Sequence, residues 1–332
     1  MPVRVAINGF GRIGRSLCRL LIDHPQIKVV AINDISDART LSHLLKYDSI
    51  HGICKSDISY DETSININSS KIHFLSYLKP ELCNWSALNI DIVIEATGKF
   101  KAYEKVEKHI AAGAKKVIIT APPLDTKIKT VVLGVNDHSI QSSDKIISNA
   151  SCTTNNAAPM IKVINDLCGI EQAYITTIHS YTSDQSLHDQ PHNDLRRARA
   201  AGQSIVPTTT GVAKALTKIF PELTTVIGGC GIRVPVPNGS LTDITFNVKK
   251  DVTISEINEA FKIAASTNFE GILAYTEDPI VSVDILGNTN SCLFDAGMTS
   301  VIGKMVKIIG WYDNEIGYSS RLIDLIIKIS KN

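Results

Sequence analysis

The amino-acid sequence predicts two bodies of different class: a doubly wound, parallel α/β sheet, followed by an α+β domain whose sheet is mainly antiparallel. Three observations carry this expectation. Over the first 150 residues, short apolar runs alternate with helical patterns, as parallel strands covered on both faces require. Beyond residue 151, strand-like runs follow one another with few helices between them, which favours antiparallel pairing. The chain has 332 residues, and at roughly 100–200 residues per domain that length suits two domains.

The elements follow in order. Apolar runs at 3–7, 28–32, 91–95, 116–120, 131–135 and 145–148 are expected to be buried strands, with helices over 15–23, 38–47 and 102–112. Residues 55–77 differ: Thr63-Ser64-Ile65-Asn66-Ile67 alternates, and an Asn-Ser-Ser turn follows, so an antiparallel insertion is expected there. The second half opens with a helix over 152–167. Strands are expected at 173–180, 226–234, 241–248, 291–294 and 305–311, and helices at 211–219 and 255–266. Apolar residues recur at helical spacing over 319–329, so the chain ends in a helix. The expected division is a first domain at 1–150, a second at 151–314, and a last helix at 315–332 that returns to the first domain.

Composition removes several function classes. A net charge of +1 gives no general pull toward nucleic acid or membrane. Arg196, Arg197 and Arg199 form a short basic cluster without interleaved aromatics, so nucleic acid is not an expected partner. The seven cysteines are odd in number and include no C-x-x-C pair, which argues against a disulfide framework or a structural metal site. Reduced thiols suit a cytoplasmic location. No leader-like segment opens the sequence, and no apolar run reaches the 18–20 residues of a membrane span.

Gly9-Phe10-Gly11-Arg12-Ile13-Gly14 fits G-x-G-x-x-G between an expected strand and an expected helix, and Asp34 stands 20 residues after Gly14. Gly9 permits a tight turn, Gly11 lets backbone approach a pyrophosphate, and Gly14 lets helix and strand pack closely. The helix start offers free N–H groups to phosphate. Asp34 can accept from ribose hydroxyls and would repel a 2′-phosphate, which favours NAD over NADP. The motif in this setting points to a Rossmann-type dinucleotide site.

Cys152 lies where a strand gives way to a helix, in Asn149-Ala150-Ser151-Cys152-Thr153-Thr154-Asn155. A cysteine there feels the positive end of the helix, and the neighbouring hydroxyls can donate to an anion. The other six cysteines are expected to be small buried apolar residues. His179 ends an expected strand and has the chemistry of a general base, although a single histidine at a strand end is more often an ordinary hydrogen-bonded residue.

Seven segments together settle the reading: I-N-G-F-G-R-I-G-R at 7–15, S-N-A-S-C-T-T-N at 148–155, H-S-Y-T-S-D-Q at 179–185, D-L-R-R-A-R-A-A at 194–201, P-T-T-T-G-V-A-K-A at 207–215, I-R-V-P-V-P-N at 232–238 and W-Y-D-N-E-I-G-Y-S at 311–319. In this order the chain resembles the phosphorylating, bacterial-type glyceraldehyde-3-phosphate dehydrogenases. The resemblance implies that Cys152 is the nucleophile and His179 its base. It implies that Ser151, Thr153, Arg197, Thr210 and Gly211 surround an attacking inorganic phosphate, and that Thr182 and Arg233 hold the substrate phosphate. It further implies NAD contacts at Arg12, Ile13, Asp34, Thr120 and Asn314, a cofactor-lining turn at Thr97 and Gly98, and Tyr318 near the nicotinamide. The implied reaction oxidises glyceraldehyde 3-phosphate to 1,3-bisphosphoglycerate through a cysteine thioester, in a homotetramer. Two neighbouring readings are an erythrose-4-phosphate dehydrogenase, in which water replaces phosphate, and an NADP-preferring form run toward sugar synthesis. The sequence departs from the family at Leu78-Lys79, where Arg-Asp is common, and at Asn156, where a second cysteine is frequent. It departs again at Gly239, where a glycine in place of valine would loosen a strand, and at Ile316, where an aromatic is common.

Overall fold

The computed structural model describes residues 1–331. Its chain divides into two compact units: Met1–Val131 with Asp137–Ala150 and Ser319–Asn332, and Val132–Asn136 with Ser151–Tyr318.

The first unit is built on a nine-stranded sheet. In chain order its elements are β1 (Val3–Asn8), α1 (Arg12–Leu20), β2 (Ile27–Asn33), α2 (Ala38–Lys46), β3 (Tyr47–Asp48), β4 (Gly52–Ile53), β5 (Ile58–Tyr60), β6 (Ser64–Ile67), β7 (Ser70–Leu75), β8 (Ile92–Glu95), α3 (Tyr103–Ala111), β9 (Lys116–Ile119), β10 (Lys129–Thr130) and β11 (Ile146–Ser148). The sheet runs β10-β11-β9-β8-β1-β2-β7-β6-β5, while β3 and β4 form a small separate ribbon. From β10 through β7 every pairing is parallel. Only β7-β6-β5 turns antiparallel, as the alternation at 63–67 predicts. The central strands are apolar on both faces, which parallel strands under helices demand. Against one face, Ala6, Val30, Val93, Val117 and Ile119 pack with Val106 of α3 and Trp85. Strand β1 has β2 on one side and β8 on the other, so the chain reverses its direction of winding there; in such sheets ligands collect beyond the carboxyl ends at that point.

The expected strand at 131–135 does not form. The ladder ends after Thr130 and the Val131 N–H donated to Ser148. Asn136 Oδ1 then accepts from the Val132 N–H at 2.8 Å, and Gly134 takes φ +77, closing a turn. The first helix also starts earlier than its apolar spacing suggests, at Arg12, because the glycine turn ends directly at Gly11.

The second unit holds α4 (Cys152–Cys168), β12 (Ile170–Ser180), β13 (Val206–Thr208), α5 (Val212–Ile219), β14 (Ile227–Val234), β15 (Ser240–Val248), α6 (Ile254–Ala265), β16 (Leu273–Thr276), β17 (Cys292–Asp295), β18 (Ser300–Ile302) and β19 (Met305–Tyr312). Its sheet runs β13-β14-β12-β15-β19-β17-β16, with β18 on β19. Pairing is antiparallel except β12 with β14 and β16 with β17. Helix α4 packs on this sheet with Ala157, Met160, Ile161 and Ile164 fully buried. Gly239 loosens no strand. It sits in the turn before β15 at φ +85, and a Cβ there would lie 2.2 Å from the Ser282 carbonyl oxygen, so the position admits glycine alone. Asn156 is buried and donates to the Trp311 carbonyl at 3.2 Å, which ties α4 to β19. The last helix, α7 (Ile316–Ser330), starts three residues before the expected 319 and belongs to the first unit from Ser319 onward. Among the described residues, no helix is long and apolar enough to cross a membrane.

Candidate active site

The glycine turn has the shape its spacing demands. Gly9 adopts φ +96, and a Cβ there would lie 2.6 Å from the Thr97 nitrogen. A Cβ on Gly14 would stand 2.3 Å from the Gly9 carbonyl oxygen, so helix and turn meet backbone to backbone. At Gly11 the space is open, and no side chain caps the start of α1. An uncapped helix start behind an open glycine is a cradle for a phosphate group. Asp34 follows β2; one carboxylate oxygen accepts from the Phe10 N–H at 2.7 Å, and the other from the Ser36 N–H at 2.9 Å. Arg12 pairs with Asp48 at 2.8 Å, and Ile13 is half-buried on α1. Thr97 and Thr120 follow β8 and β9; the Thr120 hydroxyl donates to the Glu95 carbonyl at 3.2 Å. Gly9, Asp34, Thr97 and Thr120 therefore all stand at the carboxyl ends of parallel strands, where a dinucleotide belongs in this architecture. The donors and open backbone fit NAD.

The second unit gathers the reactive groups. Ala150, buried and left-handed at φ +55, precedes them, a conformation that costs a non-glycine residue on the order of 1 kcal/mol. Ser151 caps α4, its hydroxyl accepting from the Thr154 N–H at 3.1 Å. Cys152 is the first helical residue, and its Sγ lies 3.6 Å from His179 Nε2. His179 is the second-last residue of β12. Arg233 of β14 stands beside it in register. Its Nη1 reaches His179 Nδ1 at 2.8 Å and the Ser180 carbonyl at 3.0 Å.

His179 Nδ1 thus has two incompatible neighbours. The Ser180 carbonyl, 2.7 Å away, can only accept, whereas Arg233 can only donate. With its proton on Nδ1, His179 bonds Ser180 and turns a lone pair on Nε2 toward the Cys152 thiol. With its proton on Nε2, it accepts from Arg233 and donates toward sulfur. Burial, and next the charge of Arg233, push His179 down to about 4, against the Ser180 carbonyl and Asp184. Burial pushes the Cys152 thiol up; the Thr153 N–H, the charge of Arg233 and the Thr153 hydroxyl pull the other way. Sγ and Nε2 are close enough to share one proton, so the imidazole is placed to take the thiol proton as sulfur attacks.

Further polar groups surround the pair. Thr153 shares a 3.0 Å hydrogen bond with the buried Tyr312 hydroxyl, whose ring meets His179 edge-on. Asn314 accepts from the Ser180 and Ser240 hydroxyls, each at 3.1 Å, and Tyr318 is buried. Arg197 donates to Asp184 at 2.6 Å and to the Thr208 hydroxyl at 2.9 Å, while the Thr182 hydroxyl donates to the same Asp184. Burial pushes Asp184 up, but the Thr182 hydroxyl, Arg233 and Arg197 outweigh it and hold it below its ordinary range. Thr210 accepts from the Val212 N–H at 3.3 Å, and Gly211 leads into α5. Tyr312, Ser180, Ser240 and Asp184 were not singled out by sequence reasoning. All but Ser240 lie inside segments quoted above, and no spacing rule marks them. Among the described residues no cluster of histidine, cysteine or carboxylate side chains is placed to hold a metal ion.

Comparison with known proteins agrees with this geometry. Residues 3–103 match the family model "Glyceraldehyde 3-phosphate dehydrogenase, NAD binding domain", and residues 151–314 match "Glyceraldehyde 3-phosphate dehydrogenase, C-terminal domain". The chain is 51% identical over 330 residues to glyceraldehyde-3-phosphate dehydrogenase 2 of Streptomyces avermitilis, covering 98% of each chain. It is 50% identical over 332 residues to glyceraldehyde-3-phosphate dehydrogenase of Geobacillus stearothermophilus, covering 99% of each. A glycine cradle for a dinucleotide, a helix-start cysteine facing a buried histidine, and half-identity over the full length agree: the chain belongs to the glyceraldehyde-3-phosphate dehydrogenase family.

Proposed function

We propose that this protein oxidises D-glyceraldehyde 3-phosphate to 1,3-bisphosphoglycerate with NAD and inorganic phosphate, with Cys152 as nucleophile and His179 as proton carrier. The observation that carries the reading is the 3.6 Å approach of Cys152 Sγ to His179 Nε2, with Arg233 on the far side of the same imidazole.

Sulfur attacks the aldehyde carbon as His179 Nε2 takes the thiol proton. A C–S bond forms and the carbonyl oxygen, receiving that proton, becomes the hydroxyl of a thiohemiacetal. NAD, when bound, takes up the two electrons and the hydrogen that this carbon loses. His179 removes the hydroxyl proton, and a thioester on Cys152 remains. Inorganic phosphate attacks the acyl carbon, the C–S bond breaks, and sulfur regains its proton from His179. Arg233 can make paired hydrogen bonds to the substrate phosphate, assisted by Thr182. Ser151, Thr153, Thr210, Gly211 and Arg197 receive the attacking phosphate, where two helix starts supply N–H groups. Gly9, Gly11, Arg12, Ile13, Gly14, Asp34, Thr97, Thr120, Asn314 and Tyr318 hold NAD.

The deciding experiment follows NADH absorbance from glyceraldehyde 3-phosphate and NAD, with and without inorganic phosphate. The expected outcome is turnover that requires phosphate or arsenate. Turnover indifferent to both would mean hydrolysis of the thioester and would sink the phosphorylating reading.

The working form is proposed to be a cytoplasmic homotetramer. Leu187, Leu195 and Ile205 are exposed between β12 and β14, apolar surface suited to a second copy. The seven cysteines are all unpaired, as in a reducing compartment. Light scattering should give four times the mass of the chain; a monomer would refute the assembly and leave the chemistry untouched.

A further inference from the structure

Beneath the glycine turn lies a polar network that the chemistry above does not use. Glu95, the last residue of β8, is only 2% exposed, and among the described residues no lysine or arginine is placed against its carboxylate. Burying an uncompensated carboxylate costs several kcal/mol unless donors surround it. Four do. Oε2 receives the Asn8 side-chain amide at 2.5 Å and His109 Nε2 at 3.1 Å. Oε1 receives the Thr97 N–H at 2.9 Å and the Thr97 hydroxyl.

The direction of every bond is fixed from the ends inward. The Trp85 indole N–H can only donate, and it reaches His109 Nδ1 at 3.0 Å, so His109 carries its proton on Nε2 and donates to Glu95. At the other end, the Tyr77 N–H donates to Asn33 Oδ1 at 2.8 Å, and Asn33 Nδ2 donates to the Tyr77 carbonyl at 2.9 Å. That orientation makes Asn33 Nδ2 the donor to Asn8 Oδ1 at 2.7 Å, and Asn8 Nδ2 the donor to Glu95. The network therefore needs an acceptor-only centre, which an ionised carboxylate supplies and an amide does not.

Its position gives it a task. Asn8 is in register with Asn33 on one side and with Glu95 on the other, so three adjacent carboxyl ends are tied side chain to side chain. The same carboxylate clamps Thr97, against whose backbone Gly9 packs too tightly for any Cβ.

We propose that Glu95 is a positioning residue for the dinucleotide site. Its carboxylate, oriented by Asn8 and by the Trp85–His109 pair, fixes the Gly9 and Thr97 turns in the shape that receives NAD. This rests on the reading of the glycine turn as an NAD site. The test is the dissociation constant of NAD, by titration calorimetry on the folded full-length protein. Wild-type protein that binds no NAD would refute the cofactor assignment itself. With wild-type binding established, Glu95→Gln is expected to weaken NAD at least tenfold while KM for glyceraldehyde 3-phosphate stays within twofold. NAD affinity within twofold of wild type, even with a lowered Tm, would make Glu95 merely structural and overturn the proposal. Should Glu95→Gln fail to fold, His109→Phe decides: it removes one donor from the carboxylate and is expected to weaken NAD at least threefold, whereas unchanged affinity overturns the proposal.

Discussion

His109 and His179 are both buried and both contacted through each ring nitrogen, yet their surroundings differ in kind. At His109 one nitrogen meets a pure donor, Trp85, and the other a pure acceptor, Glu95, so a single protonation state satisfies every atom. At His179 one nitrogen meets a donor and an acceptor together, while the other faces a thiol that can do either. A fully satisfied network holds a shape; an over-contacted nitrogen can exchange its proton at small cost. The first suits a cradle that must not move, and the second suits acid–base work.

The largest effect expected from this contrast is at His179. Replacing it with asparagine keeps a polar side chain but removes the proposed base, and should lower kcat by about 10²–10⁴-fold with little change in KM for the aldehyde. A loss under tenfold would remove His179 from the proton path. Next comes Arg233→Ala, which deletes the donor to Nδ1 and, with it, the proposed phosphate ligand. A fall in kcat/KM of about 10²-fold, mostly in KM, is expected. Burial and then the Arg233 charge hold His179 down to about 4, so its ring protons should titrate at higher pH in this variant by nuclear magnetic resonance. No movement would leave burial as the sole cause.

The same depression makes stability depend on pH. An unfolded histidine titrates near 6.5, and the folded His179 near 4. Between those values the unfolded chain binds the proton and the folded chain does not, so acid favours unfolding. His179 should contribute nothing above about pH 6.5 and subtract stability progressively as pH falls toward 4, by on the order of 3 kcal/mol. Urea unfolding across this range should show the slope, and His179→Asn should flatten it. An equal slope in the variant would place the proton uptake elsewhere.

How much of this was legible in the sequence depends on whether a residue's reason is local. Gly9, Gly11 and Gly14 were legible because each answers a backbone demand within one turn. Cys152 was legible as the first residue of a helix. His179 was not legible from spacing, since a strand end says nothing about what faces it; the motif resemblance singled it out. The run at 131–135 misled because apolar residues do not reveal a turn whose causes are Asn136 and the left-handed Gly134. Gly239 misled in the opposite way, since its reason is the Ser282 carbonyl, far along the chain. The Glu95 network escaped entirely. Its members Asn8, Asn33, Trp85, Glu95 and His109 are joined across 14 to 87 residues, and no periodicity marks them.

The smallest expected effect tests the quiet histidine. Trp85→Phe keeps an aromatic ring in a fully buried site but removes the indole donor and part of the ring volume. Leaving His109 Nδ1 buried without its donor should cost about 1–2 kcal/mol in urea unfolding, a typical price for one unsatisfied polar atom, on top of the cost of the smaller ring. His109 can then place its proton on either nitrogen, so the donor to Glu95 is no longer guaranteed. The added loss from also changing Glu95 to glutamine should therefore be smaller in the Trp85→Phe background than in wild type, because part of the network's order is already gone. Strictly additive losses would show that Trp85 does not fix the direction of the His109–Glu95 bond. His109 would then be no more determined than His179, and the contrast between a holding histidine and an exchanging one would fail at its better-satisfied end.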